Sequence, residues 1–150
     1  MILFVCTGNT CRSPMAAAMA EGMFFAAGLD ITVGSAGVYA APGGGASTHA
    51  AAVISKEEGG DLSGHRSQPV TVPLIDAATL VLAMTAAHRD AVLSLCPVAG
   101  GKVFTLGEYA GDGGDVPDPF GGDYARYRRC ATEIKTLLAL CIPKIKVGLH

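Results

Sequence analysis

The first thirteen residues, MILFVCTGNTCRS, constrain the rest of the chain. Met1 to Val5 is an apolar run long enough for one buried strand. It stops at Cys6-Thr7-Gly8-Asn9-Thr10-Cys11-Arg12-Ser13, and Pro14 then opens a helical pattern. The expected local geometry is strand, tight loop, helix N-terminus. Within the loop, cysteine and arginine are spaced C-x5-R, so a short curl brings the Cys6 thiol and the Arg12 guanidinium to face one point. Backbone N–H groups of the curl, with Gly8 free to take a positive φ, aim at that point, and the positive end of the following helix adds to them. Such a cup holds a tetrahedral oxyanion.

The same cup activates the cysteine. A helix N-terminus, oriented amides and a neighbouring arginine lower a thiol pKa from ~8.5 into the range of roughly 3.5–7.5, so Cys6 is expected to be a thiolate at neutral pH. Arg12 can bind two phosphate oxygens with its planar fork and follow them as phosphorus becomes trigonal bipyramidal. Ser13 is placed to donate a hydrogen bond to the sulfur and improve it as a leaving group.

CTGNTCRSPMA after an apolar strand, with VPDPFGGD far downstream, resembles the low-molecular-weight protein tyrosine phosphatase family, and within it most the bacterial protein arginine phosphatase branch. The likeness spans essentially the whole chain, so residues 1–150 are expected to form a single low-molecular-weight phosphatase domain. Composition agrees with one domain able to bury a sizeable core. Half the residues are hydrophobic, yet no uninterrupted apolar stretch approaches the ~20 residues that span a bilayer. Strand-like residues follow Met1 at once, so the expectation is a cytoplasmic protein without a signal peptide. A net charge of -2 provides no basic field for nucleic acid. Five cysteines, an odd number, suit a reducing compartment better than a disulfide scaffold.

Along the chain, Met15, Met19 and Met23 recur at helical spacing up to Gly28, and are read as core packing. Ile31 to Gly34 reads as a short strand that Ser35-Ala36-Gly37 ends. Ser47 caps a helix through Ile54 that Gly59-Gly60 terminates, and Thr71 caps a short helix containing Pro73. Thr79 to Ala83 is a buried strand, a helix runs on to Leu95, and Val103 to Leu106 is the last strand. Alternating strands and helices call for a three-layer α/β/α, Rossmann-like fold with a central four-stranded parallel sheet and the strand ends gathered on one edge. Gly107 to Asp123, with six glycines, two prolines and four aspartates, reads as a long functional loop. There Pro117 and Pro119 hold Asp118 on a stiff mount suited to a general acid, whereas Asp112, Asp115 and Asp123 read as solvated or helix-capping residues. Phe120 is a candidate pocket wall or loop anchor. A C-terminal amphipathic helix from Tyr124 is expected to be broken by Pro143.

The expected reaction is metal-free and cofactor-free phosphoryl transfer. Cys6 attacks phosphorus while Arg12 and the loop amides hold the oxygens, Asp118 protonates the leaving group, and water then hydrolyses the phosphocysteine. Catalytic candidates are Cys6, Arg12 and Asp118. Thr7, Gly8, Asn9, Thr10, Cys11, Ser13 and Phe120 are expected to contact substrate. The resemblance further implies that Ser35 hydrogen-bonds Asn9 and that His65 is bonded toward the same network behind the loop; a plain surface role for His65 is the alternative. It also makes Thr10 the residue that selects substrate, since tyrosine-directed members typically carry an aliphatic residue there and the arginine-directed branch carries threonine. Val, Ile and Thr are close in shape, so a purely loop-forming Thr10 stays open. The expected partners are phosphorylated proteins, with inorganic phosphate as product, no nucleic acid and no membrane, and the chain is expected to act as a monomer.

Phosphoarginine is the preferred substrate class, phosphotyrosine the alternative, and thiol-dependent arsenate reduction or phosphate carriage more distant ones. Arsenate reduction needs further resolving cysteines near the cup, and between Arg12 and Cys130 the chain has only Cys96. Cys11, sharing the loop with Cys6, suggests a protective Cys6–Cys11 disulfide or a small packing residue.

Overall fold

The computed structural model describes residues 1–148. The first strand, β1 (Ile2–Cys6), is buried at every position. Its alternation divides it between two cores. Ile2, Phe4 and Cys6 pack with Met15, Met19 and Phe24 of α1 (Arg12–Ala26), Val53 and Ile54 of α2 (Thr48–Glu58), and Ile134 and Leu138 of the C-terminal helix. Leu3 and Val5 point the other way, toward Ile75 of α3 (Val72–Ala77) and Val92 of α4 (Ala86–Leu95). A strand apolar on both faces thus sits at the centre of three layers.

The sheet has four parallel strands in the order β2-β1-β3-β4, with β2 at Val33–Gly37, β3 at Leu80–Ala83 and β4 at Val103–Thr105. The chain leaves β1 toward one neighbour, β2, and returns to lay β3 on the other side. The loop after β1 therefore opens at the point where the strand order reverses, on the C-terminal edge of the sheet, where ligands of doubly wound sheets bind. The short α5 (Leu106–Ala110) and the long α6 (Tyr124–Gly148) complete the chain. No helix among the described residues is long and apolar enough to cross a membrane.

Three local expectations are corrected. Strand β2 begins at Val33 and continues through Ser35 and Ala36 to Gly37, because β1 pairs with it residue for residue from Ile2↔Val33 to Cys6↔Gly37. A fully buried partner overrides the weak strand preference of glycine and serine. The segment from Gly107 is not loop from its start, since Thr105 and Glu108 form a reciprocal capping box that nucleates α5. Pro143 does not break α6, which continues to Gly148. The ring is exposed, and so is Ala139, whose carbonyl loses its helical donor to the proline and can turn to water. Beyond it Ile145 is fully buried and Lys144 lies 4.3 Å over the Tyr109 ring, which keeps the last turns docked.

Candidate active site

Residues 7–11 connect β1 to α1, and their backbone is turned inside out relative to an ordinary loop. The carbonyls of Cys6 and Thr7 accept from Val38 and Tyr39, that of Thr10 accepts from Ser47 N, and that of Cys11 from Met15 N. The Asn9 carbonyl accepts from His65 Nε2 at 2.7 Å. With the carbonyls held outward, the loop amides face its centre. No side chain caps α1, so the first amides of that helix also remain open to the same space.

Asn9, not Gly8, takes the left-handed conformation, with φ 56. Asparagine tolerates that region, and here its side chain is held on every side. Asn9 Nδ2 donates to Ser13 Oγ at 2.8 Å and to Ser35 Oγ at 2.9 Å, and its Oδ1 accepts from Gln68 N at 3.0 Å. Ser35 thus meets the Asn9 side chain and His65 its carbonyl.

Ser13 Oγ stands 2.9 Å from Cys6 Sγ. Because Asn9 Nδ2 already donates to that hydroxyl, its own proton is free to point at the sulfur; its other acceptor, the Ala36 carbonyl, is more distant at 3.4 Å. Arg12 is 4 % exposed. Its Nη1 donates to the Val116 carbonyl at 2.9 Å, and its Nη2 lies 3.4 Å from Thr7 Oγ1 and 3.6 Å from Asp118 Oδ2. Buried Val116 and Pro119 anchor the chain on either side of Asp118. The Asp118 carboxylate itself is half-exposed, with Oδ1 accepting from Phe120 N at 3.0 Å. Asp115 and Asp123 serve helix ends instead, accepting from Ala86 N and Arg126 N.

A cavity of about 280 Å³ lies over the loop, lined by Cys6, Thr7, Gly8, Thr10, Cys11, Arg12, Asp118 and Phe120. Phe120, 77 % exposed, forms a wall at the mouth. Thiol, guanidinium and carboxylate therefore converge on one space, with the Thr10 side chain beside them. No cluster of metal-ligating side chains occurs among the described residues.

All five cysteines are free. Cys11 is buried, its sulfur 3.5 Å from both Ser47 Oγ and the Tyr127 hydroxyl. Burial, and then the contact with Cys11, pushes the Tyr127 hydroxyl up to about 12, so it stays neutral. Cys96 belongs to the core on the opposite face of the sheet. Burial pushes the Cys130 and Cys141 thiols up to about 12. Neither is suited to resolve a disulfide, which weighs against arsenate reduction.

Two participants escaped the sequence reading. Gln68 meets Asn9 through its backbone, which no side-chain pattern reveals. His88 lies in the first turn of α4, capped by Thr85, and its Nε2 is 2.7 Å from Thr7 Oγ1. Desolvation, followed by the nearby Arg12 charge, lowers its pKa to about 4. Its signal was topological, a polar residue opening the helix that follows β3 on the edge where β1 also ends.

Comparison with known proteins agrees with this geometry. Residues 1–146 match the family described as low molecular weight phosphotyrosine protein phosphatase. A protein-arginine-phosphatase of Geobacillus stearothermophilus is 47% identical over 146 residues, covering 97% of this chain and 95% of the relative. One of Bacillus subtilis is 43% identical over 146 residues, covering 97% and 96%. Among solved structures, a serine mutant of the arginine phosphatase YwlE with a phosphorylated active-site serine superposes with a TM-score of 0.93 at 43% identity, covering 99% of this chain and 97% of that one.

Proposed function

The chain belongs to the low molecular weight phosphotyrosine protein phosphatase family, and from that membership we propose that it is a cysteine-dependent protein phosphatase acting on phosphoarginine in proteins. The observation that carries the chemistry is the convergence of Cys6, Arg12 and Asp118 on one cavity, with Ser13 Oγ 2.9 Å from the Cys6 sulfur. Cys6 attacks phosphorus as a thiolate, opposite the departing group. The inward loop amides and the Arg12 guanidinium carry the charge on the three equatorial oxygens. As the phosphorus–nitrogen bond breaks, Asp118 gives its proton to the leaving guanidino nitrogen, and a phosphocysteine remains. Water then attacks that phosphorus, losing a proton to the Asp118 carboxylate. Cys6 leaves as thiolate, eased by the Ser13 hydrogen bond, and inorganic phosphate is released. Asp118 is acid in one step and base in the next.

For the substrate class, the support is the naming of relatives at 47% and 43% identity as protein-arginine-phosphatases, together with the Thr10 hydroxyl and the half-exposed Asp118 carboxylate at the cavity. A guanidinium is planar, cationic and rich in donors, and a carboxylate with a neighbouring hydroxyl complements it. Phosphotyrosine is the second reading, favoured by the exposed Phe120 ring at the mouth, against which a phenyl ring can pack. One copy supplies the whole cup, which supports a chain that acts as a monomer. A cytoplasmic setting suits five free cysteines.

Phosphate release from matched phosphoarginine and phosphotyrosine peptides, by the wild type and by Thr10→Ile, tests the assignment. The expected outcome is a preference for phosphoarginine that shifts toward phosphotyrosine in the variant. A wild type that prefers phosphotyrosine, with little change in Thr10→Ile, returns the substrate to tyrosine. In either case Cys6→Ser abolishes turnover and Asp118→Asn lowers kcat by roughly 10²–10⁴-fold.

A further inference from the structure

His88 is only 6 % exposed, and among the described residues its Nδ1 is a buried polar atom without a partner. Its Nε2, by contrast, is 2.7 Å from Thr7 Oγ1. A neutral imidazole carries one N–H and one lone pair. Leaving a buried N–H without an acceptor costs more than leaving a lone pair unused, so the proton belongs on Nε2 and His88 donates to Thr7. Thr7 Oγ1 also accepts, at 3.4 Å, from Arg12 Nη2. Both lone pairs of the hydroxyl are then occupied, and its own proton must point elsewhere. Thr7 is exposed and lines the cavity above Cys6, so the space available to that proton is the phosphate cup.

We propose that His88 is a positioning residue for phosphoryl transfer, holding Thr7 so that Oγ1 steadies the Arg12 guanidinium while its hydroxyl proton serves as a further donor to the phosphoryl group. This rests on the phosphatase reading above. Arg12 is otherwise tethered by the Val116 carbonyl on Nη1 and by the half-exposed Asp118 carboxylate on Nη2. The Val116 tether fixes one nitrogen only, and Asp118 must release its contact to work as acid and base. Thr7 is the tether that can persist through both steps, and His88 is what keeps its rotamer from turning into solvent. Loss of His88 therefore loosens groups that matter most when phosphorus is trigonal bipyramidal, and less when a tetrahedral phosphate rests on the loop amides.

The test compares wild type, His88→Leu, His88→Gln, Thr7→Val and the His88→Leu/Thr7→Val pair. Each is assayed for p-nitrophenyl phosphate turnover and for inhibition by vanadate, which forms a trigonal bipyramidal adduct on the thiolate, and by inorganic phosphate, which does not. In His88→Leu, kcat is expected to fall about tenfold with KM nearly constant, and vanadate to weaken about tenfold while phosphate changes less than about threefold. His88→Gln, which keeps an N–H donor near the Nε2 position, restores most of both. Thr7→Val repeats the loss, and the double variant adds little to it. Unchanged kcat and vanadate affinity in His88→Leu overturn the inference, as does equal weakening of vanadate and phosphate, the mark of a merely structural role. Should His88→Leu fail to fold, Thr7→Val, at an exposed position, decides by the same vanadate-to-phosphate ratio. A wild type without turnover overturns the phosphatase reading itself, and this inference with it.

Discussion

At Asn9 one residue bears both the backbone conformation of the loop and its connection to the rest of the fold. Its side chain reaches Ser13, Ser35 and Gln68, and its φ of 56 turns the neighbouring amides inward. Replacing it with alanine removes three hydrogen bonds, leaves buried polar partners unsatisfied and gives up the tolerance of the left-handed region that asparagine's polar side chain provides, a destabilisation of about 2–4 kcal/mol. Asn9→Gly relieves only the backbone share, so it should lie about 1 kcal/mol above Asn9→Ala in stability. Urea unfolding of the three proteins measures this, and equal stability of the two variants would show that φ at this position carries no strain. The sequence placed the loop, its thiol and its arginine, because these are neighbours in the chain. It misassigned the positive φ to Gly8, the residue with the lower intrinsic cost, because the bonds that hold Asn9 come from Ser35 and Gln68, 26 and 59 residues away.

At the scale of elements, β1, β3, β4 and the starts of the longer helices were legible from period and capping residues; β2 was placed too early because its extent is set by pairing with β1, and the other failures occurred where two local signals compete. Thr105 and Glu108 have capping-box spacing, yet the glycines that follow masked the short α5 they start. Within α5, Gly107 lies against the turn at Gly114; its carbonyl accepts from Asp112 N and Gly113 N, and a Cβ there would collide with the Gly114 backbone. Gly107→Ala, favourable for a helix by intrinsic propensity, is therefore expected to push residues 112–118 outward and carry Asp118 away from Arg12. Phosphatase kcat/KM should drop by at least about tenfold, in line with misplacing one catalytic group by an ångström or so. Retention of wild-type activity would mean that the acid loop is positioned independently of α5. Pro143 shows the opposite competition, where a strong local breaker lost to the docking of Cys141 and Ile145, both fully buried. Pro143→Ala restores the missing N–H without disturbing that face, and it should stabilise the protein by about 1 kcal/mol or more, read as a rise in Tm of several degrees.

Across the whole molecule, the sheet edge gathers groups of both signs around a histidine that none of them can easily let charge. Desolvation is the leading cause of the low His88 pKa, and Arg12 adds to it, while Asp118 and Asp115 pull weakly the other way. In the unfolded chain the same imidazole titrates near 6.5, whereas in the fold it does so at about 4. Between these values the unfolded state binds the extra proton, so stability rises with pH through this window and is fully present above about 6.5. As pH falls from 6.5 toward 4, this one group should withdraw on the order of 3 kcal/mol, because each unit of difference corresponds to about 1.4 kcal/mol. Carboxylates elsewhere also respond to acid, so the contribution is isolated by difference. Urea unfolding of the wild type and of His88→Leu at a series of pH values from 7 to 4 should give curves that converge on acidification, with the variant losing less. Parallel curves would show that His88 charges as readily in the fold as outside it. The proton would then have a route to Nδ1, and the edge of the sheet would be wetter than its packing indicates.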